Sequence, residues 1–355
     1  MKPSLKKLTK KYGFQKAKLI RGEGVNSVEW LIDFIKSENF DCDLKREGRF
    51  HGAHTPIEFK KMVSECNDLK ENEGIETQII DKSDQKNEIN SDLYHGGVVF
   101  PQHASLNAAK YHKDLIEKAI GLGVSVISNC EMIDFKKKLD EFSVLTNKGP
   151  LKANNLVVAT NGYTSNVTPW LNKRNIPIGS YVIATEELPI NYISSLFPTN
   201  RHITDTCRVV YYFRPSPDRK RIIFGGRVSS REIGLSKSAP LLLKDLKRVF
   251  PDLPELKISH SWMGYVSYTF DHLPHTGSED GLYYSMGYCG SGIALSSYLG
   301  MKLGKKVIGD NDGTTAFDSL KFPTRPFYNG RPWFLPAVVE LYKFRDSKEM
   351  IKYMN

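Results

Sequence analysis

The sequence predicts a mixed α/β fold: an α/β framework of nucleotide-binding type, discontinuous along the chain, with an antiparallel sheet inserted into it. Three observations predict it. Residues 105–162 run helix, strand, hairpin, strand and glycine turn, the order of an α/β domain in which a β-meander replaces one crossover helix. Residues 177–262 change to Ile-, Val- and Tyr-rich segments suited to strands. The stretch "GLYYSMGYCGSGIALSSYLGMKLGKKVIG" then returns to strand, glycine turn and helix. The same order of elements also suits an α/β unit that binds nothing.

Taken in order, Asn26 is placed to cap a helix in which Val28, Leu31, Ile32 and Ile35 share a face. A short strand ends in the turn Gly48–Gly52, and Pro56 opens a second amphipathic helix. Residues 81–92 are polar and read as a loop or a short capped helix. Ser105 is placed to cap the helix "LNAAKYHKDLIEKAI", which Gly121 and Gly123 stop. "VSVI" at 124–127 alternates as a strand does, and "EMIDFKKKLDEFSVLTN" reads as a hairpin. Gly149-Pro150 breaks the chain before the buried strand Leu156–Ala159, which runs into Asn161-Gly162. Four strands and one helix, "APLLLKDLKRVFP", fill 177–262. The Pro- and aromatic-rich tail reads as an irregular strap closed by a short helix.

Composition narrows the function. The 355 residues carry a formal charge of +10, but the lysines are dispersed, and no zinc-finger, KH or RRM signature accompanies them. Five widely spaced cysteines argue against a disulfide framework or a metal knuckle, and no metal site is expected. No apolar run approaches the roughly eighteen residues of a membrane span, and no signal-peptide core follows the basic start. A reducing, cytoplasmic setting follows. No Ser/His/Asp or paired-carboxylate constellation stands out.

Gly287, Gly290 and Gly292 are spaced G-x-x-G-x-G between a strand and a helix, with Ser291 placed to cap that helix. Glycine admits close approach of a ligand, and helix-start amides favour negative charge. A tight strand-to-helix turn needs the same glycines for packing alone. The standard dinucleotide opening, G-x-G-x-x-G after a strand, is not found upstream of residue 26; Gly22-Glu23-Gly24 is its nearest approach.

The stretches "GRFHGAHTP", "YHGGVVFPQHASLNAAKYHKDL", "LVVATNGYTS", "PIGSYVIATEEL", "IIFGGRVSSR", "WMGYVSYTFDHLPHTG", "GLYYSMGYCGSGIALSSYLGMKLGKKVIG" and "TAFDSLKFPTRPFYNGRPWFLP" cover nearly the whole chain in order. Together they resemble the FAD-dependent oxidoreductases of the D-amino-acid oxidase/glycine oxidase group, in the branch of gamma-glutamylputrescine oxidoreductase and the DadA-like proteins. The resemblance implies noncovalent FAD in a discontinuous doubly wound domain, with an antiparallel sheet that covers the flavin and holds an amine. It places Gly287, Gly290, Ser291, Gly292 and Ile293 beside the flavin ring and its pyrophosphate side. Ala159, Thr160, Asn161 and Gly162 would line the dinucleotide crossover, and Val126 would pass near the adenosine half. The substrate-facing candidates are His54, Tyr211, Arg214 and Arg227. A histidine in a turn satisfied by local hydrogen bonds, and arginines paired with nearby acids, are the structural alternatives for three of them. Either Tyr211 or Tyr212 faces inward, since strand residues alternate. Cys289 reads as a small buried side chain.

The departure from the family is its opening: fingerprint, ribose carboxylate and flavin-contacting segment are expected before the equivalent of Leu5, about 80 to 110 residues in all. The domain reading is therefore an incomplete FAD-binding domain. Residues 1–104 form a helical and substrate-domain segment, 105–170 an FAD-domain segment with a meander, and 171–270 the antiparallel domain. Residues 271–310 are the closing FAD-domain strand and helix, and 311–355 a packing tail. The implied reaction is oxidation of an amino acid, a sarcosine-like or a gamma-glutamylputrescine-like amine, with O2 or a redox partner as electron acceptor. The alternative is a non-catalytic fragment or subunit whose FAD-binding start is absent or supplied by another polypeptide. No nucleic-acid partner is expected.

Overall fold

The computed structural model describes residues 2–227 and 229–353. Its elements open with α1 (Leu5–Tyr12), α2 (Phe14–Ser37), β1 (Arg49–Gly52), α3 (Pro56–Glu73), β2 (Gln78–Ile80) and β3 (Gly97–Phe100). There follow α4 (Ala108–Gly121), β4 (Met132–Lys138), β5 (Glu141–Thr146), β6 (Gly149–Ala153), β7 (Leu156–Val158) and α5 (Pro169–Asn172). Next come β8 (Ile176–Thr185), α6 (Ile190–Leu196), β9 (His202–Asp205), β10 (Tyr212–Pro215), β11 (Ile222–Gly226) and α7 (Leu235–Val249). The chain closes with β12 (Ile258–Tyr268), β13 (His275–Glu279), β14 (Leu282–Met286), α8 (Gly292–Val307) and α9 (Leu335–Ile351). This is a mixed α/β fold with several sheets. Among the described residues no helix is long and apolar enough to cross a membrane, and all five cysteines are free.

Two compact units share the chain. The first comprises Met1–Cys42, Ala108–Ile178 and Tyr265–Pro332; the second comprises Asp43–Asn107, Gly179–Gly264 and Trp333–Asn355. The opening 104 residues, read from sequence as one segment, are thus divided at Cys42.

In the first unit, α2 starts twelve residues before its expected cap. Gly13, at φ +80°, ends α1 and starts α2, so Asn26 lies in mid-helix. Gly22 and Gly24 also lie inside α2, which removes them as a phosphate turn. Ala17 and Ile20 of α2 are fully buried against Leu295, Tyr298 and Leu299 of α8, and Trp30 meets Tyr298 edge-on. The buried Glu23 accepts the Ala316 N–H at 2.6 Å, tying the chain after α8 back to α2. β13, β14 and β7 form a three-stranded sheet in that order, with β14 and β7 parallel. β4, β5 and β6 form a meander. Gly149-Pro150 starts β6 rather than breaking the chain: β6 is an edge strand, and proline is tolerated at the start of one.

Two further expectations fail in this unit. "VSVI" at 124–127 forms no strand; Val126 is exposed, and an alternating stretch without a neighbouring ladder has nothing to hold it extended. Ser105, assigned to the second unit, does not cap α4. It exchanges both backbone hydrogen bonds with Lys45 at 2.8 Å, and α4 begins at Ala108.

The second unit is built on an eight-stranded sheet in the order β12-β8-β11-β10-β9-β1-β3-β2. Its register sorts the side chains by face. Val99, Phe50, Ile203, Phe213, Phe224 and Ile183 are neighbours across six strands, and all are buried in one core with Leu242, Leu246 and Val249 of α7. A one-residue step along each strand reaches the opposite face. The row there contains His51, Thr204, Tyr212 and Gly225, and the flanking row contains Phe100, Arg49 and His202. α9 is a full 17-residue helix, longer than the short closing helix expected from the tail.

Candidate functional site

The first unit carries a cleft of about 530 Å³ between β7, the end of β14 and one face of α8. The 3.6-residue helical period makes the two faces of α8 different. Leu295, Tyr298 and Leu299 are buried in the core, whereas Ile293, Ser296, Gly300, Leu303, Gly304 and Val307 line the cleft. Val157, Ala159 and Asn161 form its opposite wall. Asn161 sits at φ +45°, and its Oδ1 accepts the Gly287 N–H at 3.1 Å, locking the turn after β7 to the turn after β14.

The glycines of that turn have separable reasons to be glycine. Gly287 and Gly290 take φ +82° and +95°, which side chains resist, and a Cβ on Gly287 would strike the Thr269 methyl. Gly162 is glycine for packing, because a Cβ there would approach the Tyr265 carbonyl oxygen to 2.5 Å. Gly292 has neither reason: its φ is not in the left-handed region, and a Cβ would meet no atom within 4 Å. It opens onto the cleft at the first turn of α8.

Ser291, expected to cap α8, makes no side-chain cap hydrogen bond. Its backbone, at φ −102° and ψ 40°, is outside the extended region that aims a cap side chain at the first amides. The Ser291 side chain thus leaves the opening amides of α8 uncapped at the positive end of the helix dipole, where Gly292 and Ile293 line the cleft. An apolar wall of Val157, Ala159 and Ile293 beside such donors suits a planar aromatic group with a hydrogen-bond-accepting edge. A flavin has that form, so the donor set fits FAD. Cys289 is buried at φ +52°, and burial pushes its thiol up, as befits an inert turn residue. Thr160 bonds to Thr164 at 2.8 Å. Val126 is not among the residues lining the cleft.

The second unit separates the four substrate-facing candidates. His54 is buried, with Nδ1 at 2.6 Å from Thr206 Oγ1 and Nε2 at 3.3 Å from Glu349. His54, Asp346 and Glu349 place one ligand atom each within 4.8 Å of one another. Arg208 already pairs with both carboxylates, at 2.8 Å to Asp346 and 2.8 Å to Glu349, and holds Glu349 below the usual carboxylate range. The cluster ties α9 to the sheet. Tyr211 lies in the core against Phe224, so Tyr212, not Tyr211, occupies the opposite face, where its hydroxyl meets Ser180 Oγ at 2.7 Å. A Cβ on Gly225 would collide with the Tyr212 ring, so glycine permits the tyrosine to lie across the sheet. Arg214 donates to the Leu106 carbonyl at 2.9 Å. Arg227 pairs with Glu232 at 3.1 Å and donates to the Gly179 carbonyl at 2.9 Å. The four are not one constellation: His54 and Arg227 are held in local networks, and Tyr211 is core.

Sequence reasoning passed over Arg49, His202 and Thr204. Their signal was the register of β1 with β9, which only the pairing of distant segments reveals.

Comparison with known proteins gives the family and the fold. Probable oxidoreductase OrdL of Haemophilus influenzae is 26% identical over 347 residues, covering 95% of this chain and 79% of that protein. Gamma-glutamylputrescine oxidoreductase of Escherichia coli is 28% identical over 353 residues, covering 96% of this chain and 80% of that protein. Among solved structures, glycine oxidase from Geobacillus kaustophilus superposes with a TM-score of 0.70 at 17% identity, covering 88% of this chain and 83% of that one. Residues 12–305 match the DAO family, described as FAD dependent oxidoreductase. With most of its length inside that match, the chain belongs to the FAD-dependent oxidoreductase family and is a flavoprotein enzyme by descent and fold.

Proposed function

We propose that the chain oxidises a primary or secondary amine, with an amino acid, a sarcosine-like amine or a gamma-glutamylputrescine-like amine as substrate. The carrying observation is the uncapped, Gly292-opened start of α8 on an apolar cleft, in a chain matched to the FAD-dependent family over 12–305. Bound FAD would supply the hydride acceptor for oxidation of the amine carbon–nitrogen bond, the imine product being hydrolysed by water. The chain's own part is to hold and polarise. The opening amides of α8 favour negative charge at the edge of the bound ring. Asn161 fixes the spacing of the two turns through Gly287. No acid or base from the chain is needed if the amine arrives neutral. The named amine follows the Escherichia coli relative, an oxidoreductase of gamma-glutamylputrescine. The electron acceptor is O2 or a redox partner.

The test is anaerobic titration of the purified, FAD-supplemented protein with gamma-glutamylputrescine, sarcosine and glycine, following loss of the oxidised-flavin absorption. Bleaching by at least one amine supports the reading. A flavin-loaded protein that none of the three bleaches contradicts it.

A second reading has its own support. β7 pairs with β14 on one edge only, and among the described residues no strand pairs with the other. Val157 on it is 46% exposed. On this reading another polypeptide segment adds a strand to β7 and brings the phosphate-binding turn. The discriminating result is FAD uptake that appears only when such a segment is co-expressed.

A further inference from the structure

The closing helix α9 has two apolar sides, and only one of them is packed. On the inner side Leu335, Val339 and Met350 are buried, and Asp346 and Glu349 each meet Arg208 at 2.8 Å, which anchors the helix within the second unit. On the outer side Leu341, Phe344 and Ile351 recur at spacings of three and seven, which lines them along one face. Phe344 and Ile351 are each 65% exposed and Leu341 is 45% exposed. Trp333, just before the helix, is exposed as well. Since the inner side already anchors α9, these outer side chains are not needed for its packing.

A cationic stripe runs beside the apolar one. Arg345, Lys348 and Lys352 follow at spacings of three and four, and all three are exposed. Among the described residues none of the three is in an ion pair, because the acids of α9 are engaged elsewhere: Asp346 and Glu349 by Arg208, and Glu340 by Lys343 at 4.0 Å. The long stems of such side chains lie along apolar surface while their charged ends reach outward. An exposed apolar strip with a border of one sign of charge is a contact surface, and the charge selects its partner. A two-fold contact with a second copy would ring one apolar seam with the cations of both copies. A nucleic-acid backbone would take the cations but gain nothing from Phe344 and Ile351. An anionic bilayer matches both, since its interface accepts apolar side chains and its headgroups attract Lys and Arg.

We propose that the outer face of α9 docks on an anionic phospholipid surface. Leu341, Phe344 and Ile351 enter the headgroup layer, and Arg345, Lys348 and Lys352 meet the lipid phosphates. The helix lies in the plane of the surface, and among the described residues no helix is long and apolar enough to cross it. Attachment of this kind is reversible and weakens with salt. It requires neither flavin nor amine, so it stands or falls apart from the amine-oxidation reading.

The test is co-sedimentation of the full chain with phosphatidylcholine vesicles and with vesicles in which roughly one-third of the lipid is phosphatidylglycerol, at about 0.1 M and about 0.5 M salt. Wild type is expected to bind the anionic vesicles at the lower salt, and about tenfold or more weakly when the salt is raised or the vesicles are neutral. Phe344→Ser/Ile351→Ser removes the apolar strip with the charge unchanged, and Arg345→Gln/Lys348→Gln removes charge with the strip unchanged. Each double variant should weaken binding about tenfold or more. All four positions are exposed, so the urea midpoint should hold in both variants. Wild type that leaves the anionic vesicles in the supernatant unbound, that binds both compositions alike, or that binds no better than the two variants overturns the proposal. So does a wild-type dimer in light scattering that Phe344→Ser/Ile351→Ser dissociates, which would make the strip a contact between copies.

Discussion

Gly292→Leu separates the two reasons a glycine can stand at the start of α8. A Cβ at Gly292 meets nothing within 4 Å and the residue has no left-handed φ, so the fold does not require glycine there. Replacing glycine in a helix by a good helix former gains up to about 1 kcal/mol. The urea midpoint should therefore hold or rise. The new side chain projects into the cleft and covers the opening amides of α8. Losing one hydrogen bond to a charged or strongly polar ligand costs about 1.5–3 kcal/mol, which corresponds to roughly 10- to 150-fold in affinity. Titration of FAD fluorescence quenching against wild type and variant measures it. Equal FAD affinity in a variant of unchanged stability would refute the assignment of this turn to the cofactor.

Three further outcomes follow from the packing. Burial pushes the Asp205 carboxyl up to about 7, although its Oδ1 accepts the Cys207 and Tyr211 N–H groups. Since the folded value lies above the unfolded one, the folded state binds the extra proton, and stability falls as pH rises between about 4 and about 7, by on the order of 4 kcal/mol. Asp205→Asn should flatten that slope in urea midpoints taken at about pH 5 and about pH 8; a parallel slope in the variant would contradict the argument. Gly225→Ala drives a methyl into the Tyr212 ring and breaks its bond to Ser180, costing about 1–3 kcal/mol by denaturant unfolding. Leu299→Ala, at a fully buried position between α8 and α2, should cost about 2–5 kcal/mol; a cost below 1 kcal/mol would show that this core collapses freely.

What the sequence disclosed depended on the range of the interaction. The strand, turn and helix around Gly287–Ile293 were legible because glycine spacing and helical period are local signals, and the strand before Asn161 was legible for the same reason. Asn26 misled because a capping residue and an apolar face coincide by chance within a helix that was already running from Phe14. Pro150 misled because its meaning depends on whether its strand lies at an edge. Tyr211 and Tyr212 differ by one step of register, and only the pairing of β10 with β9 and β11 decides which of them shares a face with Thr204. Arg49 was invisible for a related reason: its neighbours His202 and Phe100 lie 153 and 51 residues away.

The opening amides of α8 and the Asn161 turn are the part of the chain assigned to hold the flavin ring. Hydrogen exchange with and without FAD tests this assignment most directly, on the chain alone or with the added segment of the second reading. Slowed exchange is expected, concentrated at 287–293 and 159–162. FAD that binds while those amides exchange at their free rate, with protection appearing elsewhere, would contradict it.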